Sequence, residues 1–298
     1  MASKHFFKRH QGRGSYDLFS SYNYFLPGLK GMVMLLVMFV IGGLLGNLVV
    51  LGLTFGLSAQ FAQEYGTVIS YPLMFVPAML YASYQSRKAE LWGEYEGLQE
   101  GGIPLDSNNF GKLGGFWLAL TVSIATLAAA FVAEPVNALL PEMPEVLQKA
   151  LEQLTEGPLW VTLLSVSIFA PLFEEWLCRG LVLRGLLQKL NPFNAIMVSA
   201  AFFAVLHLNP WQAIPAFLLG LLFGYVYYKT GSLKLTMLMH CVNNTFAALM
   251  TRIPSLAEAE TFMDVMSPWA YVCIYVACLA IIGSSLIILR GNWCDTKA

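Results

Sequence analysis

Charged residues are scarce in this sequence. Only 12% of its 298 residues are Asp, Glu, Lys or Arg, and 57% are hydrophobic, whereas a typical soluble domain carries about 25% charged residues. This composition excludes an ordinary soluble globular domain. Because long apolar runs replace the alternation of surface and core residues, the chain is predicted to be all-α, a polytopic bundle of transmembrane helices.

Other absences exclude classes of partner and site. The net charge is −1 and no basic stripe with interleaved aromatic residues occurs, so nucleic acid is not an expected partner. The five cysteines form no CxxC pair, which argues against a disulfide framework and a thiolate zinc site. An HExxH helix is also lacking.

Apolar runs of helical length recur along the chain. A membrane-spanning helix needs about 20 apolar residues. The runs predict eight spans, at about residues 31–58, 66–84, 114–133, 159–188, 192–208, 213–229, 232–250 and 267–290. They divide the chain into an N-terminal tail (1–30), a helical domain (31–290) and a C-terminal tail (291–298).

The distribution of Lys and Arg predicts the orientation. With the N-terminus in the cytoplasm, only Lys149 and Arg252 of the 17 Lys and Arg residues face outwards, and Arg179 falls within a span. Because positively charged loops are retained inside, both tails are expected to be cytoplasmic. Neither a cleaved signal peptide nor a lipidation or retention signal is expected, which favours a bacterial inner membrane.

Two connecting segments are long enough to form helices of their own. The inner segment, 87–112, contains several glutamates and is predicted to form a short solvated helix. The outer segment contains PEMPEVLQKALEQL, whose apolar spacing predicts an amphipathic helix at the membrane surface.

Away from the cytoplasmic ends of the spans, charged residues and histidines occur in only three of them: Glu174, Glu175 and Arg179; His207; and His240, which is followed by Asn243 and Asn244. Such groups cost several kcal/mol in a bilayer and usually mark function. At about 1.5 Å per residue, Glu174, His207 and Asn244 lie roughly 20 to 24 Å from the inner ends of their spans. His240 lies at about 14 Å. We therefore expect these groups to converge on one interior cavity that is open to the cytoplasm.

Spacing assigns different tasks to the two glutamates. Residues four apart share a helix face, so Glu175 and Arg179 are predicted to form an ion pair. Glu174 lies about 100° round the helix from Glu175 and stays outside that pair. It is therefore the expected general base for a water molecule.

Three motifs follow one another on these spans: EExxxR (Glu174, Glu175, Arg179), FxxxH (Phe203, His207) and HxxxN (His240, Asn244). Together they resemble the CPBP family of intramembrane proteases, which includes the CAAX prenyl endopeptidases. The resemblance covers about residues 159–250, the expected protease core. One departure is Cys178, where an aromatic residue often precedes the arginine.

The resemblance implies hydrolysis of a peptide bond inside the membrane. Glu174 and His207 are expected to activate water, and His240 and Asn244 to stabilise the oxyanion of the tetrahedral intermediate. Glu175 and Arg179 are expected to support them. The expected substrate is a membrane-bound or lipidated peptide, with the lipid bilayer as the protein's environment; the oligomeric state is left open.

The same residues also allow a metal-dependent mechanism and non-enzymatic functions. Members of the family are often labelled metalloproteases, and Glu174, His207 and His240 provide ligands for zinc. A mechanism without a cofactor is favoured, since an asparagine paired with a histidine suits oxyanion stabilisation better. The main alternative to an enzyme is a non-catalytic scaffold, regulator or bacteriocin-immunity protein. A proton-coupled transporter is less favoured, because the first three spans have no matching polar groups.

Overall fold

The computed structural model describes residues 19–95, 102–253 and 261–292, and every regular element within them is helical. This confirms the predicted all-α fold. Besides short 3-10 turns, the described residues form nine helices: α1 (Leu29–Gly56), α2 (Ala59–Tyr95), α3 (Gly114–Ala133), α4 (Glu145–Glu156), α5 (Leu159–Leu186), α6 (Pro192–Leu206), α7 (Pro210–Thr230), α8 (Leu233–Met250) and α9 (Pro268–Gly291). Residues 1–18 and 293–298 of the predicted tails lie outside the described part.

Each predicted span coincides with one helix, but the helices differ in their capacity to cross a membrane. Six are long and apolar enough to do so: α1, α2, α3, α5, α7 and α9. Helix α6 is apolar but has only 15 residues, and α8 carries Lys234, His240 and two asparagines. The fold is that of a polytopic helical membrane protein, with α6 and α8 as shorter or more polar members.

Helix α2 is longer than predicted. It continues from Ala59 to Tyr95, so its last turns include the beginning of the segment 87–112 that was expected to form a separate helix. That prediction is wrong for the described residues, because good helix formers follow Tyr84 without a proline to end the helix. Residues 102–113 pass over one end of the bundle without forming a regular helix.

Helix α4 confirms the amphipathic helix predicted between the third and fourth spans. It begins directly after Pro144 and runs to Glu156, and Val146 exposes 83% of its surface. Its location at a membrane surface stays a prediction.

Helix α5 is the centre of the bundle. All residues from Glu175 to Leu187 are buried, whereas α1 and α9 expose apolar side chains such as Leu48 and Ile287 along their outer faces. Two segments of α5 are π-helical, Leu163–Phe169 and Trp176–Leu183, and an α-helical segment, Ala170–Glu175, lies between them. Pro171, which has no N–H to donate, lies at the first junction.

Arg184 ties the loops at one end of the bundle to α5. It is fully buried, and its guanidinium donates to the backbone oxygens of Tyr22 and Phe25, each at 2.8 Å, and of Ile103. The sequence placed Arg184 only among the positive charges at a span end. Because carbonyl groups of two loops surround it, the charge is compensated without contact with solvent.

Asp106 and Ser232 fix the start of α8. The Ser232 side chain caps the helix, and Asp106 Oδ1 accepts hydrogen bonds from the backbone N–H groups of Leu233, at 2.8 Å, and Lys234, at 3.2 Å. Such acceptors satisfy N–H groups that have no partner within the helix. The helix that carries two of the predicted site residues is thereby held at its first turn.

Helices α1 and α2 pack closely at Gly42. A Cβ at Gly42 would lie 2.6 Å from the carbonyl carbon of Met74 and closer still to its oxygen. A Cβ at the neighbouring Gly43 would meet no atom within 4 Å. The two adjacent glycines therefore differ sharply in the space available to a side chain.

We predict opposite effects of the same substitution at these two positions. Gly42→Ala forces the two backbones apart and is expected to lower the free energy of unfolding by about 1–3 kcal/mol. Gly43→Ala is expected to be neutral or to stabilise by up to about 1 kcal/mol, because alanine favours the helix. Denaturation of the purified protein in detergent measures both. Equal effects would contradict the close packing of α1 on α2.

Candidate active site

Glu175 and Arg179 form a fully buried ion pair within α5. Arg179 Nη1 lies 2.7 Å from Glu175 Oε1, and neither side chain is exposed. The predicted ion pair is therefore present. A buried charge without a partner is costly, and the pair provides each group with its counter-ion.

Arg179 also joins α5 to α6 and α7. Its Nη2 donates to the carbonyl oxygen of Gly220 at 3.1 Å, and its guanidinium carbon lies 4.6 Å from the ring centre of Phe203 and 5.4 Å from that of Phe223. Both distances suit cation–π contacts. Gly220 lacks a Cβ, which would lie 3.2 Å from Ala200 Cα. Helices α6 and α7 therefore pack closely at this glycine, and its carbonyl accepts a hydrogen bond from Arg179 that the sequence did not predict.

His240 is oriented by the same Glu175 oxygen that contacts Arg179. The Nδ1 atom of its buried imidazole lies 3.1 Å from Glu175 Oε1. Since a carboxylate only accepts hydrogen bonds, Nδ1 carries the proton and donates it. The opposite ring nitrogen, Nε2, lies 3.9 Å from Glu174 Oε2. A carboxylate that holds one nitrogen of a histidine sets the direction of the other.

Glu174 accepts a hydrogen bond from Tyr71, a residue far away in the sequence. The Tyr71 hydroxyl on α2 donates to Glu174 Oε1. Glu174 Oε2 is buried and has no hydrogen-bond partner within the described residues. Glu174 is thus separate from the ion pair of Glu175, as the spacing predicted, and its two oxygens have different surroundings.

The sequence prediction did not include Tyr71, because it considered only Glu, Arg, His and Asn side chains in the spans. A usable signal was present. Tyr71 lies well inside an apolar run, away from the interface where tyrosines usually anchor membrane helices. A hydroxyl at such a position needs a hydrogen-bond partner in the protein.

His207 lies at the C-terminal end of α6 rather than within the helix. Its Nδ1 is 3.0 Å from the carbonyl oxygen of Phe203, which can only accept, so Nδ1 donates and Nε2 remains available. The next residue, Leu208, has a φ of 56°, an uncommon conformation for a non-glycine residue. His207 therefore belongs to a tight turn that leads directly into α7.

Asn244 is held against α5. Its Nδ2 donates to the carbonyl oxygen of Val166 at 2.7 Å, and its Oδ1 accepts from Asn243 Nδ2 at 3.0 Å. Hydrogen bonds to its nitrogen and to its oxygen therefore fix the orientation of the Asn244 amide. Because the amide nitrogen carries two hydrogens, one remains for another acceptor.

The six predicted residues are joined by direct and indirect contacts. Glu175 contacts both Arg179 and His240, and His240 faces Glu174. His207 joins the group through the Phe203 ring, whose centre lies 5.1 Å from the His207 ring and 5.4 Å from the His240 ring. Asn244 joins it through the backbone of α5. The shared water-filled cavity stays a prediction.

The zinc alternative requires Glu174, His207 and His240 to act as ligands of one ion. Across residues 19–95, 102–253 and 261–292, no three His, Cys, Asp or Glu side chains are grouped as a metal site requires. In this arrangement the three residues do not fit a zinc ion. The metalloprotease alternative therefore gains no support.

Comparisons with known proteins agree with the motifs. Residues 156–246 match the family model described as type II CAAX prenyl endopeptidase Rce1-like, and this segment contains all six predicted site residues. The family resemblance predicted from the sequence is confirmed. Among curated proteins, the "Putative membrane peptidase YdiL" of Bacillus subtilis (strain 168) is 27% identical over 88 residues. The aligned part is 30% of this chain and 36% of that protein. No solved structure matches the chain at a comparable level of significance.

The buried ion pair makes a testable contribution to stability. Arg179→Met leaves the Glu175 carboxylate buried without its guanidinium partner, so the free energy of unfolding is expected to fall by about 3–5 kcal/mol. The matched control is Lys149→Met, which breaks the Glu145–Lys149 pair of the same spacing on α4, with side chains 87% and 71% exposed. The control should cost less than about 1 kcal/mol. Equal losses on denaturation in detergent would show that burial adds nothing to the Glu175–Arg179 pair.

Proposed function

We propose that this Rce1-like chain is an intramembrane endopeptidase that hydrolyses a peptide bond of a membrane-associated or lipidated peptide. The observation that carries the proposal is that Glu174 Oε2 and His240 Nε2 face each other at 3.9 Å. The other nitrogen of His240, Nδ1, is hydrogen-bonded to Glu175. Both glutamates and His240 lie within the segment that matches the endopeptidase family.

The distance between these two atoms suits a shared water molecule. A separation of 3.9 Å is too long for a direct hydrogen bond. It is short enough for one water to bond both atoms. Glu174 Oε2 is also buried without a partner in the described structure, and a carboxylate oxygen in that position is an available acceptor for a proton from water.

The proposed reaction proceeds by general-base catalysis. Glu174 Oε2 accepts a proton from water, and the resulting hydroxide attacks the carbonyl carbon of the scissile bond. When the tetrahedral intermediate collapses, the C–N bond breaks and the proton passes from Glu174 to the leaving amine. His207 Nε2, whose Nδ1 is occupied by the Phe203 carbonyl, is proposed to assist in orienting and deprotonating the water.

Stabilisation of the oxyanion is proposed for His240 and Asn244. Asn244 has one amide hydrogen beyond its bond to Val166. When His240 Nε2 carries a proton, the Glu175 carboxylate beside Nδ1 stabilises the imidazolium. A preorganised donor of this kind contributes about 3 kcal/mol to lowering the barrier. Glu175 and Arg179 then act by supporting His240.

The proposed substrate class is inferred from the matching family and from the membrane environment of the bundle. The matching family is described as prenyl endopeptidases, and α5 lies in a bundle with six helices long and apolar enough to span a membrane. We therefore propose a peptide held at or in the bilayer. A prenylated CaaX protein, a bacteriocin-like precursor and another membrane peptide are the candidates to compare.

The central prediction is that Glu174→Gln abolishes peptide cleavage. Removing the base is expected to slow hydrolysis at least about 100-fold. The matched control is Glu145→Gln on α4, the same chemical change at an exposed position. Membrane peptides from bacterial cells that express the parent protein or either variant are sequenced to identify new termini, and purified protein in liposomes is tested on farnesylated and unmodified CaaX peptides.

Termini that appear with the parent and Glu145→Gln but vanish with Glu174→Gln would support the proposal. Cleavage of only the farnesylated peptide would identify a prenylated substrate. If the parent generates no termini and cleaves no peptide, or if Glu174→Gln acts like the parent, the proposed peptidase activity is wrong. The non-catalytic role of the same fold would then be the better hypothesis.

A further inference from the structure

Tyr71 is a component of the candidate site that lies outside the matching family segment. It belongs to α2, whereas the match begins at residue 156. Its hydroxyl donates to Glu174 Oε1, across 103 positions of sequence. Among the described residues this is the hydrogen bond that fixes the carboxylate of the proposed base.

The bond makes the two oxygens of Glu174 inequivalent. Oε1 accepts from Tyr71, while Oε2 is buried, lacks a hydrogen-bond partner in the described structure and faces His240 Nε2 at 3.9 Å. Rotation of the carboxyl group would exchange the two oxygens or turn both away from His240. A donor fixed on one oxygen opposes that rotation and directs the other towards His240.

Aromatic packing holds the Tyr71 ring at this position. Its ring centre lies 5.9 Å from that of Phe75, one turn further along α2. Phe75 is fully buried and stacks on Phe173 with an interplanar angle of 16° and ring centres 5.2 Å apart. Phe173 immediately precedes Glu174. The stacked rings of Tyr71, Phe75 and Phe173 therefore link the tyrosine to the glutamate in addition to the hydrogen bond.

We propose that Tyr71 is a positioning residue of the peptidase site, which keeps Glu174 Oε2 directed at the water shared with His240. The inference rests on the proposed function. It means that α2 contributes a residue that orients the proposed base. Tyr71 keeps its own proton throughout and contacts neither the water nor the substrate. Its loss should therefore reduce the rate of the chemical step and leave substrate binding intact.

The test compares Tyr71→Phe with Tyr65→Phe. Each substitution removes one hydroxyl from α2 and keeps the ring. Tyr65 packs on Trp160 of α5, with ring centres 6.0 Å apart, and its hydroxyl does not bond Glu174. Cleavage of an internally quenched farnesyl-CaaX peptide is measured with the purified protein in liposomes. For Tyr71→Phe we expect kcat to fall about 10- to 100-fold with KM within twofold of the parent value, and Tyr65→Phe should match the parent.

A second measurement tests the bond without relying on activity. Unfolding equilibria in detergent are compared for the parent, Tyr71→Phe, Glu174→Met, which removes the acceptor, and the double variant. We expect the effects of the two single substitutions on the unfolding equilibrium constant to differ from additivity by at least about fivefold, because the residues interact directly. The same cycle with Tyr65→Phe should be additive.

The two measurements separate this inference from the proposed function. Additive effects of Tyr71→Phe and Glu174→Met, or a kcat equal to that of Tyr65→Phe, would overturn the positioning role of Tyr71. A rise in KM at unchanged kcat would also overturn it. Absence of cleavage by the parent protein would contradict the proposed activity on this peptide, while the unfolding cycle would still decide whether Tyr71 fixes Glu174.

Discussion

The buried carboxylate of Glu175 is the interaction on which the site depends. One oxygen, Oε1, contacts both Arg179 and His240, at 2.7 and 3.1 Å. An uncompensated charge at this depth would strongly destabilise the bundle. Arg179 supplies the compensating charge, and His240 uses the same oxygen to fix the direction of its ring. The stability of the bundle and the orientation of the proposed catalytic histidine therefore depend on the same carboxylate oxygen.

Packing around Arg179 extends this arrangement to the neighbouring helices. The guanidinium reaches the Gly220 carbonyl of α7 and lies between the rings of Phe203 and Phe223. Phe203 also contacts the rings of both histidines. A single buried side chain thus connects α5 to α6 and α7, while His240 connects it to α8. The charges of Glu175 and Arg179 are tolerated at this depth because each has its counter-ion within the bundle.

The candidate site also draws on the part of the chain that the family match does not include. Residues 156–246 contain the glutamates, the histidines and Asn244, and Tyr71 on α2 bonds the proposed base from outside that segment. The close approach of α1 to α2 at Gly42 stabilises the helix that presents Tyr71. The segment that matches the family model and the N-terminal helix pair are therefore proposed to function as one unit.

The sequence by itself determined the all-helical membrane fold, the approximate position of each helix and the Glu175–Arg179 pair. These features follow from local periodicity, apolar run length and the four-residue spacing of a helix. Only the tertiary structure decided that His240 faces both glutamates, that Arg184 is buried, and that Tyr71 bonds Glu174. Those contacts join residues 65 to 103 positions apart, or depend on loops folding over a helix end. Helix periodicity specifies which face a residue occupies, but the neighbour opposite that face is set by how whole helices pack.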